Sequence, residues 1–498
     1  MHIIHIASEL APLAKVGGLG DVILGLCREL SWKKHDVDII IPKYDCMDNN
    51  MIRDLAIDMT GLKSYFAGEE FDNIVWVGWV ENLKVYFIDP QHPRRFFNRS
   101  CIYGCDDDMD RFLYFSRAAL ELIKVKGMKP DAIHTHDWQT AAIAPLIKDI
   151  YKSQGLDTKV AFTIHNLEYQ GFCLPVDIAR IGLTDPSYNT PQKLKDPVKE
   201  GDLNLMKGAI IYSDYFTTVS PNYAKEIQTT EGGKNMQEVI KANKDKFSGI
   251  LNGVDYSFWN PEIDHYLPTH FSPREMPMNK RDRNTLDNKA FVKKILRETL
   301  HLDEPHRPIV GVVTRLVPQK GLELLKHSLF RTLELGGQFV LLGSSPIPSI
   351  NAEFHELKHR FIDHPHVSIT LHHQETLAHL IYGGSDMFMV PSLFEPCGLT
   401  QLIALKYGSV PIVRRTGGLA DTIFDVDHSG LPFDETNGYT FDYPDAAGVD
   451  SALDRAIKCW FENPDNWRKL VINGMKMDYS WNLPADEYIH IYRALTGK

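Results

Sequence analysis

Hydrophobic positions along this chain fall into two kinds of run that alternate from end to end. Short stretches rich in β-branched residues are followed by longer ones in which apolar residues recur every three or four positions. In the first half the short runs predict strands at Ile3–Ser8, Val37–Pro42, Val85–Asp89, Ala132–His136, Val160–Asn166 and Tyr215–Ser220. In the second half they predict Ile309–Arg315, Gln338–Gly343, Val367–Leu371, Met387–Ser392, Val410–Arg414 and Tyr439–Phe441. Many are continuously apolar, the pattern of strands covered by helices on both faces. Strand and helix in alternation predict parallel sheets in an α/β fold. Between the halves the pattern weakens: Leu251–Glu262 is turn-rich, and Leu267–Asn284 is polar, proline-rich and without a period. A hinge near Asn252–Pro261 divides the chain into a domain over residues 1–252, a second over 253–478 and a helical tail over 479–498, which can pack on either domain or cross back to the first.

Composition narrows the function classes. The 498 residues predict two large domains or three smaller ones. A 43% hydrophobic and 24% charged balance suits ordinary globular cores, and a net charge of −11 argues against a nucleic-acid partner. Seven cysteines without a CxxC predict free thiols in a reducing compartment. No signal peptide and no membrane-length apolar run is legible, so a cytoplasmic protein is expected. The sequon at Asn98 then carries no meaning.

The candidate chemistry lies where predicted strands end, as expected for ligands of open parallel sheets. After the first strand, "KVGGLGD" (Lys15–Asp21) combines a lysine with a glycine turn at a helix start, a setting suited to an anion. "RTGGLAD" (Arg415–Asp421) echoes it, either by coincidence in a glycine turn or as a second anion-friendly turn. "HTHDW" (His134–Trp138) and "HNLEYQG" (His165–Gly171) place polar groups at two further strand ends. In "RLVPQKG", Arg315 and Lys320 suit a diphosphate. "EPCGLT" offers amides near Gly398 and Leu399 and the Thr400 hydroxyl to a phosphate, while Glu395 suits sugar hydroxyls.

Other motifs carry less. "HELKH" (His355–His359) fits a zinc pattern, but Phe354, Leu357 and Phe361 give it the spacing of an ordinary amphipathic helix, and a third ligand such as Glu375 must come from elsewhere. The acidic runs Asp36–Asp38, Asp106–Asp108 and Asp425–Asp427 suit a divalent metal or a solvated surface. Neither GxGxxG nor a Walker loop is present.

Taken in order, "KVGGLGDV", "HTHDWQT", "HNLEYQG", "LNGVD", "RLVPQKGLELL" and "PSLFEPCGLTQLIALKYGSVPIVRRTGGLADT" resemble the bacterial glycogen synthase and plant starch synthase family over essentially the whole chain. The resemblance implies a GT-B glycosyltransferase fold, with two Rossmann-like domains and parallel sheets facing a deep interdomain cleft. It implies retaining transfer of glucose from ADP-glucose to the non-reducing-end 4-hydroxyl of an α-1,4-glucan, with no metal or other cofactor. A related transferase using UDP-glucose or another acceptor, and an inactive glucan-binding protein, are the alternatives, as is a plastid rather than a cytoplasmic location. Carried over, Lys15, Gly17 and Gly18 meet the donor's phosphates and reacting sugar, and Asp21 orders their loop. Asp137 and His165 contact the glucose, Arg315 and Lys320 neutralise the diphosphate, and Glu395 anchors sugar hydroxyls. Cys397, Gly398, Leu399 and Thr400 donate to phosphate. Tyr103, Asn166 and Asn252 fall at further site positions, and His373 stands where some relatives stack a tyrosine on the base. Val16 replaces a frequent threonine, and the stretch after "HNLEYQG" is short.

Overall fold

The computed structural model describes residues 1–274, 285–303 and 306–498. Most of the proline-rich segment predicted between the halves therefore lies outside the described residues. The chain divides into two compact units, Met1–Gly253 with Trp481–Lys498, and Val254–Ser480. Each has its own hydrophobic core.

The first unit is built on strands β1 (His2–Ile6), β2 (Asp36–Pro42), β3 (Arg53–Phe66), β4 (Glu69–Val80), β5 (Leu83–Pro90), β6 (Ala132–His136), β7 (Lys159–Ile164), β8 (Tyr215–Thr218) and β9 (Phe247–Gly249). They form one sheet in the order β9-β8-β7-β6-β1-β2-β5-β4-β3. Pairing is parallel from β9 to β5 and antiparallel in the β5-β4-β3 meander. The helix Leu19–Trp32 shows why the elements form: Leu19, Val22, Ile23, Leu26, Cys27 and Leu30 share one buried stripe at helical spacing. The last helix, Asn482–Thr496, belongs to this unit and buries Tyr488, Ile489 and Tyr492 in its core.

The second unit carries β10 (Ile309–Arg315), β11 (Gln338–Ser344), β12 (Val367–Thr370), β13 (Met387–Val390), β14 (Val410–Arg414) and β15 (Tyr439–Phe441). Its sheet runs β12-β11-β10-β13-β14-β15, all parallel. This is the 3-2-1-4-5-6 order of the dinucleotide-binding fold, with its switch point between β10 and β13. The first sheet repeats the logic, its switch point lying between β1 and β6.

Every predicted strand is present, with two kinds of difference. Several end earlier than their apolar runs: β1 stops at Ile6, β7 at Ile164, β8 at Thr218 and β13 at Val390. The next residues leave the ladder and turn into the loops described below. The long β3–β4 hairpin and the short β9 are additions. The hairpin turns at Ala67 (φ 54°) and Gly68 (φ 95°), the two left-handed residues of a tight hairpin. Its pairing slips at Arg53/Ala56, Ile57/Met59 and Met59/Leu62. Such bulges break the period-two alternation by which a half-exposed strand is read. Among the described residues no helix is long and apolar enough to cross a membrane.

Candidate functional site

In the first unit the loop after β1 is organised by a carboxylate. Glu9, buried, accepts the backbone N–H of Val16 at 2.8 Å and of Gly17 at 3.2 Å. Tyr103 donates its hydroxyl to the same carboxylate at 2.9 Å and shares a 2.7 Å hydrogen bond with Ser8. Burial and the Glu9 charge push the Tyr103 phenol well above its ordinary value. The glycine turn thus has an internal anion on two of its amides, Val16 and Gly17. Lys15 lies 2.9 Å from Asp21 in the first turn of Leu19–Trp32, and Gly18 caps that helix.

At the end of β6, Asp137 adopts φ 55°, a left-handed conformation uncommon outside glycine. That turn aims its Oδ1 at the residues that follow β7: His165 N donates to it at 2.7 Å and Asn166 N at 3.4 Å. Burial pushes the Asp137 carboxyl up to about 7, the two amide donors opposing and the Glu9 charge assisting. Asn166 spends its side-chain oxygen on Glu168 N. Asn252, beyond β9, is buried, and its side-chain oxygen has no hydrogen-bond partner among the described residues. A buried orphan acceptor of this kind is suited to a ligand's hydroxyl or N–H.

Behind His165 runs a line of imidazoles. His165 Nε2 is hydrogen-bonded to His136 Nδ1 at 3.1 Å, and His136 Nε2 to His5 Nδ1 at 3.1 Å. Burial drives His165 and His5 down to about 3 and His136 in the same direction, so all three are neutral near pH 7. His134 completes a cluster of metal-ligating side chains with His5 and His136, the only such group among the described residues. Its two nitrogens are engaged by Tyr492 Oη at 2.6 Å and Thr163 Oγ1 at 2.7 Å, so the group serves as a hydrogen-bonded core.

In the second unit the loops after β10 and β13 are fastened together at the switch point. Leu393 N donates to Gln319 O at 2.8 Å, and Gln319 Nε2 to Phe394 O at 3.1 Å. This fastening sets Lys320 Nζ 2.5 Å from Glu395 Oε2, which also accepts the Ser392 hydroxyl at 2.8 Å. Arg315, at the end of β10, is exposed and has no ion-pair partner among the described residues. Gly398 to Thr400 close the same loop and lead into the helix Thr400–Lys406, while Cys397 is buried with its carbonyl accepting from Gln401. His373 lies beyond β12 with its side chain 81% exposed, 3.1 Å from Glu375.

"RTGGLAD" does different work from the turn it echoes. A Cβ on Gly417 would lie 1.9 Å from Glu395 O, and one on Gly418 2.1 Å from Cys397 O. Gly418 N donates to Glu395 O at 3.0 Å. These glycines let a helix start press against the Glu395–Cys397 backbone and hold it in place, and Arg415 is paired outward with Asp442. His355 and His359 are exposed on the helix Pro348–Arg360, while Phe354 faces the core. The acidic runs are held by internal cations: Asp38 by His2, Asp107 by Arg94 and Arg99, Asp108 by Arg111, and Asp425 with Asp427 by Arg455.

Within each unit, then, the residues singled out in the sequence gather at the carboxyl ends of parallel strands. Lys15–Asp21, Tyr103, Asp137, His165 and Asn166 are linked by shared hydrogen bonds or charge, and Lys320 joins Glu395. His373 stands apart from the pair. Glu9, Ser8, His5, His136 and Ser392 were not singled out for a role. Glu9 stands in the same stretch as the glycine turn, but an acceptor for the loop's own amides leaves no spacing signal.

Residues 2–242 match the family model described as the starch synthase catalytic domain, and residues 297–473 match that of glycosyl transferases group 1. The glycogen synthase of Protochlamydia amoebophila is 65% identical over the whole of both chains. The chain belongs to the glycogen and starch synthase family. The probable starch synthase 4 of Arabidopsis thaliana is 48% identical over 99% of this chain and 47% of that protein. The structure of the Arabidopsis starch synthase IV catalytic domain, bound to ADP and acarbose, superimposes with a TM-score of 0.95, covering 100% of this chain and 99% of that one. As a member of this family the protein is a glycosyltransferase of the GT-B type, and both of its Rossmann-like sheets follow from that fold.

Proposed function

We propose that the protein transfers glucose from ADP-glucose to the 4-hydroxyl at the non-reducing end of an α-1,4-glucan, with retention and without a metal. The observation that carries this reading is the Lys320–Glu395 pair at the switch point of the second sheet, with Arg315 exposed at the end of β10, the strand that leads to Lys320. One cation stands ready and the other is held by a carboxylate that a sugar's hydroxyls can replace it on. The relative of the same fold binds ADP and acarbose, a nucleotide and a glucan-like oligosaccharide. No disulfide joins the seven cysteines, all of them among the described residues, and this fits the cytoplasm.

In this reading Arg315 and Lys320 stabilise the diphosphate as the bond from the anomeric carbon to the phosphate oxygen breaks, and amides of the Cys397–Thr400 loop assist. Charge that grows in the transition state is where such groups act most strongly. Glu395 holds glucose hydroxyls. His165, neutral, contacts the transferred glucose, and Asp137, which carries a proton for part of the time near pH 7, hydrogen-bonds a hydroxyl. The acceptor oxygen attacks from the face the phosphate leaves, and its proton passes to the departing phosphate oxygen, so no protein base is required. Lys15 exchanges Asp21 for a donor phosphate.

Glucose incorporation into glycogen, measured with ADP-glucose and UDP-glucose in the presence of EDTA, tests the reading. ADP-glucose is expected to be the better donor, with undiminished rate under chelation and a severe loss of kcat in Lys320→Ala. Preference for UDP-glucose, dependence on a metal, or full activity of that variant would overturn it.

A further inference from the structure

The loop that carries Tyr103 also carries two thiols. Cys101 Sγ and Cys105 Sγ stand 2.7 Å apart, two residues to either side of the tyrosine. A disulfide needs about 2.05 Å between its sulfurs, so a small side-chain rotation separates this pair from a bond. Both cysteines are half-exposed, whereas Cys27, Cys173 and Cys397 are buried. Cations flank them. The Arg99 guanidinium hydrogen-bonds the Cys105 side chain, and Arg111 faces Cys101 and donates to its carbonyl at 3.2 Å. Positive charge favours the thiolate, the attacking form. Asp108 opposes it at Cys101, where burial and the neighbouring Cys105 push the thiol up to about 11. With the Arg99 guanidinium on its side chain, Cys105 is the attacking thiol of the exchange and Cys101 the resolving one.

The pair is joined to the site through Tyr103. Its hydroxyl meets Ser8 and Glu9, and Glu9 in turn holds the amides of Val16 and Gly17. We propose that Cys101 and Cys105 are a reversible oxidation site, and that closing the five-residue ring between them displaces Tyr103 and slows glucosyl transfer. The oxidant is a low-molecular-weight disulfide. The Cys105 thiolate attacks one of its sulfurs, forming a mixed disulfide and releasing one thiolate. That thiolate takes the Cys101 proton as Cys101 Sγ attacks Cys105 Sγ, and the second small thiol leaves. Two protein thiols are oxidised and one disulfide is reduced. The effect on transfer rests on the activity proposed above; the bond itself does not.

The test uses the full chain, reduced with dithiothreitol, desalted and exposed to oxidised glutathione, with remaining thiols trapped by iodoacetamide and mapped by peptide mass. The expected result is a Cys101–Cys105 bond, seen as the loss of two hydrogens and of both alkylation sites, with a severalfold fall in kcat/KM that dithiothreitol reverses. Cys105→Ser should keep the reduced rate under both conditions, and Cys46→Ser should respond like the parent. Alkylation of both thiols after glutathione treatment, a glutathione adduct left unresolved on Cys105, or a bond to any other cysteine would overturn the site. A Cys101–Cys105 bond with unchanged transfer would overturn its coupling to Tyr103. A reduced protein inactive with either donor would instead refute the proposed activity, while the thiol map would still decide whether the bond forms.

Discussion

Asp137 carries two unfavourable features at once, a left-handed backbone and a carboxyl whose burial outweighs two amide donors. Together they fit the ligand contact proposed for it, since stability alone selects neither. The consequence for pH has a definite sign. The carboxyl is raised from 3.8 to about 7 in the folded protein. Between those values the folded chain holds a proton that the unfolded chain has lost. Stability therefore falls as pH rises through this window, and the full penalty is present above it. Asp137→Asn keeps an acceptor for both amides and tolerates the left-handed φ. Without substrate, its melting temperature is expected to exceed the parent's near pH 8 and to match it near pH 4, while transfer is lost; an equal offset at both pH values would show that the charge plays no part. The sequence shows Asp137 at a strand end. It does not show the strain, because φ is set by where the His165 amide stands, and β6 and β7 bring that amide in from another strand. The same applies to Glu9, whose role depends on the loop after β1 folding back over it.

At the scale of elements, the helix Leu19–Trp32 depends on one glycine. A Cβ on Gly25 would lie 2.0 Å from Trp481 Nε1 and 2.4 Å from Cδ1. Two effects compete in Gly25→Ala. Helix propensity favours alanine by about 1 kcal/mol. Overlap with a rigid, buried indole costs about 1–3 kcal/mol, because the ring can move only by disturbing the core around it. The overlap is with a ring that cannot give way, so the variant is expected to be less stable by up to about 2 kcal/mol in urea unfolding, with altered Trp481 fluorescence. A gain in stability would show that the tail is not held against this helix. The apolar runs announced this helix and the parallel strands, since burial on both faces leaves a continuous hydrophobic signature. The β3–β4 hairpin left none, because three slips in its pairing scramble the alternation.

At the scale of the molecule, two cores divide the chain, and the last residues return to the first of them. Trp481, Tyr488, Ile489, Ile491 and Tyr492 pack in the core of the first unit, and Tyr492 supplies the partner of His134 Nδ1. Removal of residues 481–498 is expected to lower the melting temperature and to speed amide exchange in β1, β6 and Leu19–Trp32, leaving β10–β15 unchanged. Faster exchange confined to the second sheet would contradict this assignment. The sequence by itself determined the α/β class, nearly every parallel strand and the strand-end motifs, because each is written in local spacing: burial period, glycine at a turn, cation beside a helix start. Tertiary structure alone decided which of those charges meet. Lys320 finds Glu395, Glu9 satisfies the glycine turn's amides, and the second glycine pair packs backbone instead of facing a ligand. The first and last depend on a strand order in which neighbours in space are far apart in sequence, the second on the loop after β1 folding back over Glu9, and no local pattern records either.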